Sequence, residues 1–373
     1  LIFHLLDRTG QYLSNNFLDE DFAFYGKILG GKKEVKPRWQ RVIDAAERVV
    51  GQALGQLFVQ ATFSAEAKAQ ALNMVQRLKS TLAEEITSLD WMGAQTKKNA
   101  LAKLASMTEK IGYPDKWRDY SSLQIDRQSY VGNVMRGDQF EFNRQLAKIG
   151  KPVDHLDWSI SKGTQSTAAS YSDLLNEIVF PAGCLQPPIF DPQADDATNL
   201  GSMGAIIGHE ITHGFDDEGS HYDAAGNLHD WWAGDDKKRF QERIDLIASQ
   251  FDAYIVGGDT HLKGKLVSGE VAADLGGAII ALGALEKSLG DKARTKDANG
   301  FTPEQRFFIS FAQMFAENSR PERDRLQAKT NEHPSAKLRV NGTLANMDAF
   351  AKAFNCGNDC PMMLPADRRC RLW

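Results

Sequence analysis

Apolar residues recur along most of this chain at helical rather than alternating spacing. In Ala65 to Leu78, the residues Leu72, Val75 and Leu78 fall on one stripe among charged neighbours, which predicts an amphipathic helix. Thr96 to Met107 predicts a second, with Ala100, Leu101, Leu104 and Ala105 apolar. Asp235 to Tyr254 predicts a third and Pro303 to Phe315 a fourth, with Thr302 placed to cap it and Pro303 at its first position. Tyr113-Pro114-Asp115 reads as a turn. Ser220 to Trp232 reads as a short hairpin around Ala225-Gly226-Asn227. The expected fold is therefore mainly α with a small β component (α+β). A helical region over residues 1–165 precedes a part, residues 166–373, that carries the candidate chemistry. Helices of the first region could cover a site, but residue by residue they read as scaffold.

One helix departs from the amphipathic pattern. Around Ser268-Gly269-Glu270, the residues Val271, Ala272 and Ala273 and the run Ala278 to Leu282 leave almost no polar face, which predicts a buried helix. Glu270 and Asp274 are four apart and share a side of it. Buried carboxylates need partners.

Those partners are suggested by His209-Glu210-Ile211-Thr212-His213. On a helix, two histidines four apart leave the same face and can grip one metal ion, while Glu210 is turned about 100° away, beside the metal. This arrangement suits a catalytic zinc with a glutamate as general base. Such a zinc takes a third protein ligand. A downstream histidine of the metzincin kind is excluded, because Asp216 and Gly219 occupy its pattern positions. Glu270 is the remaining candidate. Asp274 would accept the outer N–H of one ligating histidine and Asp216 that of the other, which fixes tautomers. Ordinary surface histidines and a solvated acidic stripe are the plainer alternatives.

Several motifs in order resemble the neprilysin and endothelin-converting-enzyme family of zinc peptidases, a branch of the gluzincins. They are Glu177 to Gly183, Leu185-Gln186-Pro187-Pro188, Gly208 to Asp217, Glu270 to Gly277, and the terminal Cys370-Arg371-Leu372-Trp373. The resemblance implies a thermolysin-like catalytic domain, preceded by part of a helical lobe that roofs its cavity. It implies one zinc ion on His209, His213 and Glu270, with Glu210 as base and Asp216 and Asp274 behind the ligands. In Glu332 to Arg339 it implies that His333 stabilises the transition state and that Arg339 binds substrate. The implied activity is endopeptidase cleavage of oligopeptides on the amino side of hydrophobic residues.

Departures from the family pattern are local. Where the family has Asn-Ala ahead of an aromatic-Tyr pair, this chain has Ala168-Ala169-Ser170-Tyr171, so the carboxamide that grips substrate backbone is replaced at Ala168. Main-chain pairing at Ala169 needs no side chain. In the hydrophobic pocket, Cys184 stands where an aliphatic residue is common and Phe315 where a tryptophan is familiar. Ile189 and Ile206 are further walls.

Composition adds limits. Of 373 residues, 42% are hydrophobic and 25% charged, with net charge −5, which fits a globular protein and gives no reason to expect nucleic-acid binding. No run approaches the roughly 20 consecutive apolar residues of a membrane span. Without an initiator Met, the chain reads as the C-terminal part of a longer precursor whose missing N-terminal segment is a partner. Cys356, Cys360 and Cys370 cluster while Cys184 stands alone, which favours a disulfide in an exported protein over a zinc-binding cysteine pair. Asn341-Gly342-Thr343 is a glycosylation sequon. Peptides are the expected substrates. The second reading is a non-catalytic zinc-containing module that binds peptides, or a fragment inactive without its missing part.

Overall fold

A buried strand and a buried helix organise the part of the molecule that carries the motifs, as seen in a computed structural model that describes residues 1–158, 163–290, 295–357 and 360–373. The apolar run Ile178-Val179-Phe180 forms strand β3 (Glu177–Pro181), buried at every position. Strand β1 (Thr108–Gly112) pairs with it in parallel, Thr108 opposite Glu177, and β2 (Ser170–Ser172) pairs antiparallel on its other side, Tyr171 opposite Ile178. The order is β1-β3-β2, which leaves β2 at an edge. A sheet buried on both faces explains an unbroken apolar run in place of alternation.

The central helix spans Gly264–Leu289 and is buried along nearly all its length. It packs chiefly against the helices Ala205–His213 and Asp236–Asp252, and also against Ala65–Ser88. Phe251, Phe307, Phe308 and Phe311 fill the surrounding core. By length and composition this helix is long and apolar enough to cross a membrane, although Glu270 and Asp274 interrupt its apolar run, so it holds no stretch of 20 consecutive apolar residues. Its burial and the two carboxylates on one side identify a core helix instead.

The amphipathic helices appear where periodicity places them. Ala65–Ser88 starts on Ser64, whose hydroxyl accepts from the Ala67 N–H. Its buried stripe is Ala71, Met74, Val75, Leu78 and Leu82, with Leu72 half-buried at its margin. The helix Pro303–Met314 begins with a full capping box between Thr302 and Gln305, two reciprocal bonds to N–H groups that have no partner within the helix.

The chain divides into two compact units, residues 1–62 with 113–166, and residues 63–112 with 167–373. This differs from a single cut after residue 165. Residues 63–112 join the C-terminal part because β1 completes its sheet and Ala65–Ser88 contributes to its core. Parallel pairing across such a sequence gap leaves no trace in periodicity. In the first unit the helices Arg38–Thr62 and Tyr130–Leu146 pack together with Gly137 against Val49, while Gly55 lies against Thr164 and Gln165.

The structure also bears on three further expectations. The segment Ser220 to Trp232 reverses around Ala225-Gly226-Asn227 as expected, but its antiparallel ladder is short: the single bridge Tyr222 to Leu228, flanked by the bonds Asp223 N–H to Asn227 O and His229 N–H to His221 O. Asp223 Oδ1 accepts from the N–H groups of Ala225 and Asn227, so a side chain satisfies donors a ladder would have used. The sequon lies in the helix Ala336–Leu344, with Asn341 half-buried and Thr343 fully buried. Among the described residues no two cysteines form a disulfide, and Cys356 is hydrogen-bonded to Cys360.

Candidate metal centre

The helix Ala205–His213 continues from a wider π-helical turn, Leu200–Gly204. It crosses the central helix at glycines. A Cβ on Gly208 would lie 2.8 Å from the Gly277 backbone, and one on Gly277 would lie 2.5 Å from the His209 nitrogen. Only hydrogen at both positions permits this approach, and it sets Glu270 against the histidine face.

At that crossing the Nε2 atoms of His209 and His213 are 2.9 Å apart. With a carboxylate oxygen of Glu270 they form a group whose donor atoms all lie within 4.8 Å of one another. Each outer ring nitrogen is engaged. His209 Nδ1 lies 2.9 Å from Asp274 Oδ1, and His213 Nδ1 lies 2.6 Å from Asp216 Oδ2. Both imidazoles are thereby oriented with Nε2 toward Glu270.

Glu270 Oε2 is buried with no hydrogen-bond partner. Nitrogens of His333, His209 and Arg339 stand 3.2, 3.4 and 3.4 Å away. They supply charge nearby but no directed bond. A buried carboxylate oxygen left this way beside two imidazole nitrogens is what a cation would satisfy, and the N,N,O donor set fits zinc.

The electrostatics follow from burial and these pairs. Burial, and then the neighbouring His213, lower the pKa of His209 to about 4. Burial also works against protonation of His213, but the Asp216 carboxylate overrides it and lifts the value to about 10. Glu270 is pushed up to about 7 by burial. Burial alone would raise Asp274, yet the Arg339 guanidinium and the His209 hydrogen bond hold it well below the usual carboxylate range. Glu210 is raised by burial, although a backbone hydrogen bond at Tyr171 in β2 works against this.

Two cavities meet at Glu210. One of about 570 Å³ is lined by His209, Glu210, Asp274, His333 and Arg339 together with Ala169, Cys184, Ile189, Ile206 and Phe315. The other, about 320 Å³, is polar, with Tyr171, Asp173, Asp217 and Glu332 around the same histidines. The sequence-derived site residues therefore converge, with one exception. Ala168 is exposed and does not line the larger cavity.

Arg339 is more committed than expected: it forks onto Asp274 with bonds of 2.8 and 2.6 Å and lies 4.9 Å over the Phe315 ring. His333 is half-buried at the mouth, and burial followed by the charge of Arg339 keeps it below the ordinary imidazole value. Burial, and then Glu210, push the Cys184 thiol up to about 12, so it stays a neutral wall. Met203, Phe311 and Met314 also line the larger cavity and were missed in the sequence, where they are indistinguishable from core. The glycines of the helix crossing were visible as Gly208 and Gly276-Gly277, since paired glycine inside a helix is costly without a packing reason.

Known proteins resemble this chain along its whole length. The model described as peptidase family M13 matches residues 168–372, and a second one with the same description matches residues 1–114. Neprilysin-11 of Caenorhabditis elegans is 35% identical over 387 residues, which cover 100% of this chain and 45% of that protein. Membrane metallo-endopeptidase-like 1 of Homo sapiens is 34% identical, over 99% of this chain and 48% of its own length. The chain thus spans about half the length of the curated relatives it matches. Among solved structures, the zinc metalloprotease ZMP1 of Mycobacterium tuberculosis in complex with an inhibitor superposes with a TM-score of 0.93 at 41% identity, covering 100% of this chain and 56% of that one.

Proposed function

The chain belongs to peptidase family M13, and from that premise we propose that it is a zinc-dependent endopeptidase cleaving oligopeptides on the amino side of hydrophobic residues. One zinc ion per chain is held by His209, His213 and Glu270. The observation that carries this reading is the partnerless Oε2 of Glu270 facing two imidazoles, each already oriented by a carboxylate. Zinc, when bound, polarises a scissile carbonyl and acidifies water.

Glu210 takes the proton of the attacking water and passes it to the leaving amine. Its burial suits that exchange, because a raised pKa brings proton uptake and release nearer to neutrality. His333, neutral near pH 7 because its pKa is lowered, donates an N–H to the oxyanion that develops on the substrate carbonyl. Arg339 keeps two bonds to Asp274 and retains further N–H groups for a substrate carbonyl. The peptide adds as a strand along the free edge of β2, beginning at Ala169. Its side chain after the scissile bond enters the cavity walled by Ile189, Ile206, Phe315 and Cys184. A charged side chain there would lose hydration without gaining a partner, at a cost of several kcal/mol.

An exported location and a covering N-terminal segment, outside this chain, belong to the same reading. They are supported by a relative named for a membrane and by the half-length coverage. The test is cleavage-site mapping by mass spectrometry on a peptide library, with and without chelator, for the wild type and Glu210→Gln. Chelator-sensitive cleavage before apolar residues, abolished in Glu210→Gln with zinc retained, is expected. Wild-type turnover in Glu210→Gln would refute the base assignment. A preference for charged residues would refute the pocket. Zinc and peptide binding with no turnover would favour a non-catalytic module or a fragment lacking its covering part.

A further inference from the structure

The helix Ala94–Ser106 presents a cation where its periodicity calls for an apolar residue. Thr96, Ala100, Lys103 and Leu104 form its buried face, and Lys103 is only 1% exposed. Its ammonium donates to two main-chain oxygens, Gly219 at 2.6 Å and Tyr222 at 2.8 Å. It also lies 5.8 Å from the centre of the Phe215 ring. The carboxylates around it are Asp173, Asp216 and Asp223. Burying an ammonium is costly unless it is well bonded, so these contacts fix the backbone they hold.

That backbone is the turn after His213. Within it, Asp216 Oδ1 accepts from the N–H groups of Glu218 at 2.9 Å and Gly219 at 2.8 Å, while Oδ2 faces His213 Nδ1. The Gly219 peptide is thus gripped at its N–H by Asp216 and at its oxygen by Lys103. There is no slack at this residue, since a Cβ on Gly219 would lie 1.8 Å from the His213 oxygen. Lys103 is itself anchored from the other side. Asn176 Nδ2 donates to its main-chain oxygen at 3.0 Å, and Asn176 Oδ1 accepts from the Tyr171 hydroxyl at 2.9 Å.

We propose that Lys103 is a positioning residue for the metal centre, holding the turn from Asp216 to Tyr222 so that Asp216 can orient His213. The inference rests on the reading of His209, His213 and Glu270 as metal ligands. It gives residues 63–112 a share in a site to which they contribute no ligand.

Zinc affinity, measured by chelator competition, tests it in wild type, Lys103→Met, Asp216→Asn, the double variant, Glu270→Ala and Lys110→Met. Lys110 is a second buried lysine, paired with Glu177 in the sheet, and serves as the control for lost stability alone. Lys103→Met should weaken zinc binding by about 10–100-fold, the range for residues that orient ligands, and Asp216→Asn should do likewise. The double variant should lose no more than the weaker-binding single, because both act through one imidazole. Lys110→Met should keep wild-type affinity in its folded fraction. Should Lys103→Met not fold, Lys103→Gln, which can still donate to one of the two oxygens, should show an intermediate loss. Unchanged affinity in both Lys103 variants, or losses that multiply in the double variant, would overturn the proposal. If Glu270→Ala retains zinc, the ligand reading itself falls. If Glu270→Ala loses zinc and Lys103→Met does not, only the positioning role falls.

Discussion

The two units handle charge and apolar surface in opposite ways. The unit of residues 63–112 and 167–373 buries Lys103, Lys110, Glu177, Glu210, Asp216, Glu270 and Asp274. The unit of residues 1–62 and 113–166 leaves Leu1, Phe3, Phe24, Ile28, Leu29 and Trp39 exposed, with many other large apolar side chains. A buried charge is tolerable only when its partners are held in place, so the second unit is internally committed at many points. Each large apolar side chain left in water forgoes about 1.5–3 kcal/mol relative to burial. Exposed apolar surface on this scale is uncommon on an isolated soluble unit. One unit thus depends on its own internal pairing, while the other leaves much apolar surface in water.

The largest test of this contrast compares two arginine–aspartate pairs. Replacing Arg339 by Ala leaves the buried Asp274 with the His209 imidazole in place of a guanidinium fork, with an expected loss of about 3–5 kcal/mol in urea unfolding and weaker zinc retention. Replacing Arg48 by Ala in the first unit breaks a partly exposed pair with Asp138, with an expected cost below about 1 kcal/mol. Equal costs would erase the distinction between the units. Glycines give a smaller version. Gly277→Ala must force the two helices apart at the metal centre and should cost about 1–3 kcal/mol. Gly10→Ala, whose Cβ would meet its nearest neighbour at 3.7 Å, should stay within about 0.5 kcal/mol.

The third test reads the proton inventory of the committed unit. A metal must displace protons from His213, lifted to about 10, and Glu270, lifted to about 7. Below pH 7 both are protonated, so binding releases two protons and apparent affinity should rise by up to about a hundredfold per pH unit. Between pH 7 and 10 only His213 gives up a proton and the rise should be about tenfold per unit, flattening above 10. Zinc competition across this range checks it, and an affinity independent of pH would mean the ligands are not these groups. The smallest expected change in stability is in the first unit. Phe24→Ser and Ile28→Ser should alter it by no more than about 0.5 kcal/mol while reducing concentration-dependent self-association in sedimentation. A large loss there would mean the exposed face is already part of a core.

Much of the candidate metal centre was legible because its elements are local. Four-residue spacing alone puts His209 and His213 on one helix face, and Glu270 and Asp274 on another. The capping box at Thr302 and Gln305 is equally local, and so were the helices around it. The reversal from Ser220 to Trp232 was legible, but the short ladder was not, because the Asp223 side chain satisfies donors within the turn and alternation cannot reveal that. Lys103 escaped notice for a related reason: an amphipathic reading assigns lysine to water, and only the Gly219 and Tyr222 oxygens make its burial tolerable.

Spacing within single helices thus settled which residues could be ligands, and motif order pointed to a family. Packing alone settled that residues 63–112 serve the second unit, that Gly208 meets Gly277, that Arg339 forks onto Asp274, and that Ala168 faces solvent. These relations join positions far apart in the chain. Arg339 and Asp274 are 65 residues apart, and Lys103 and Gly219 are 116 apart. Backbone geometry repeats over a few residues and is written locally, whereas a partner for a buried charge is chosen by whatever the whole fold brings within 3 Å.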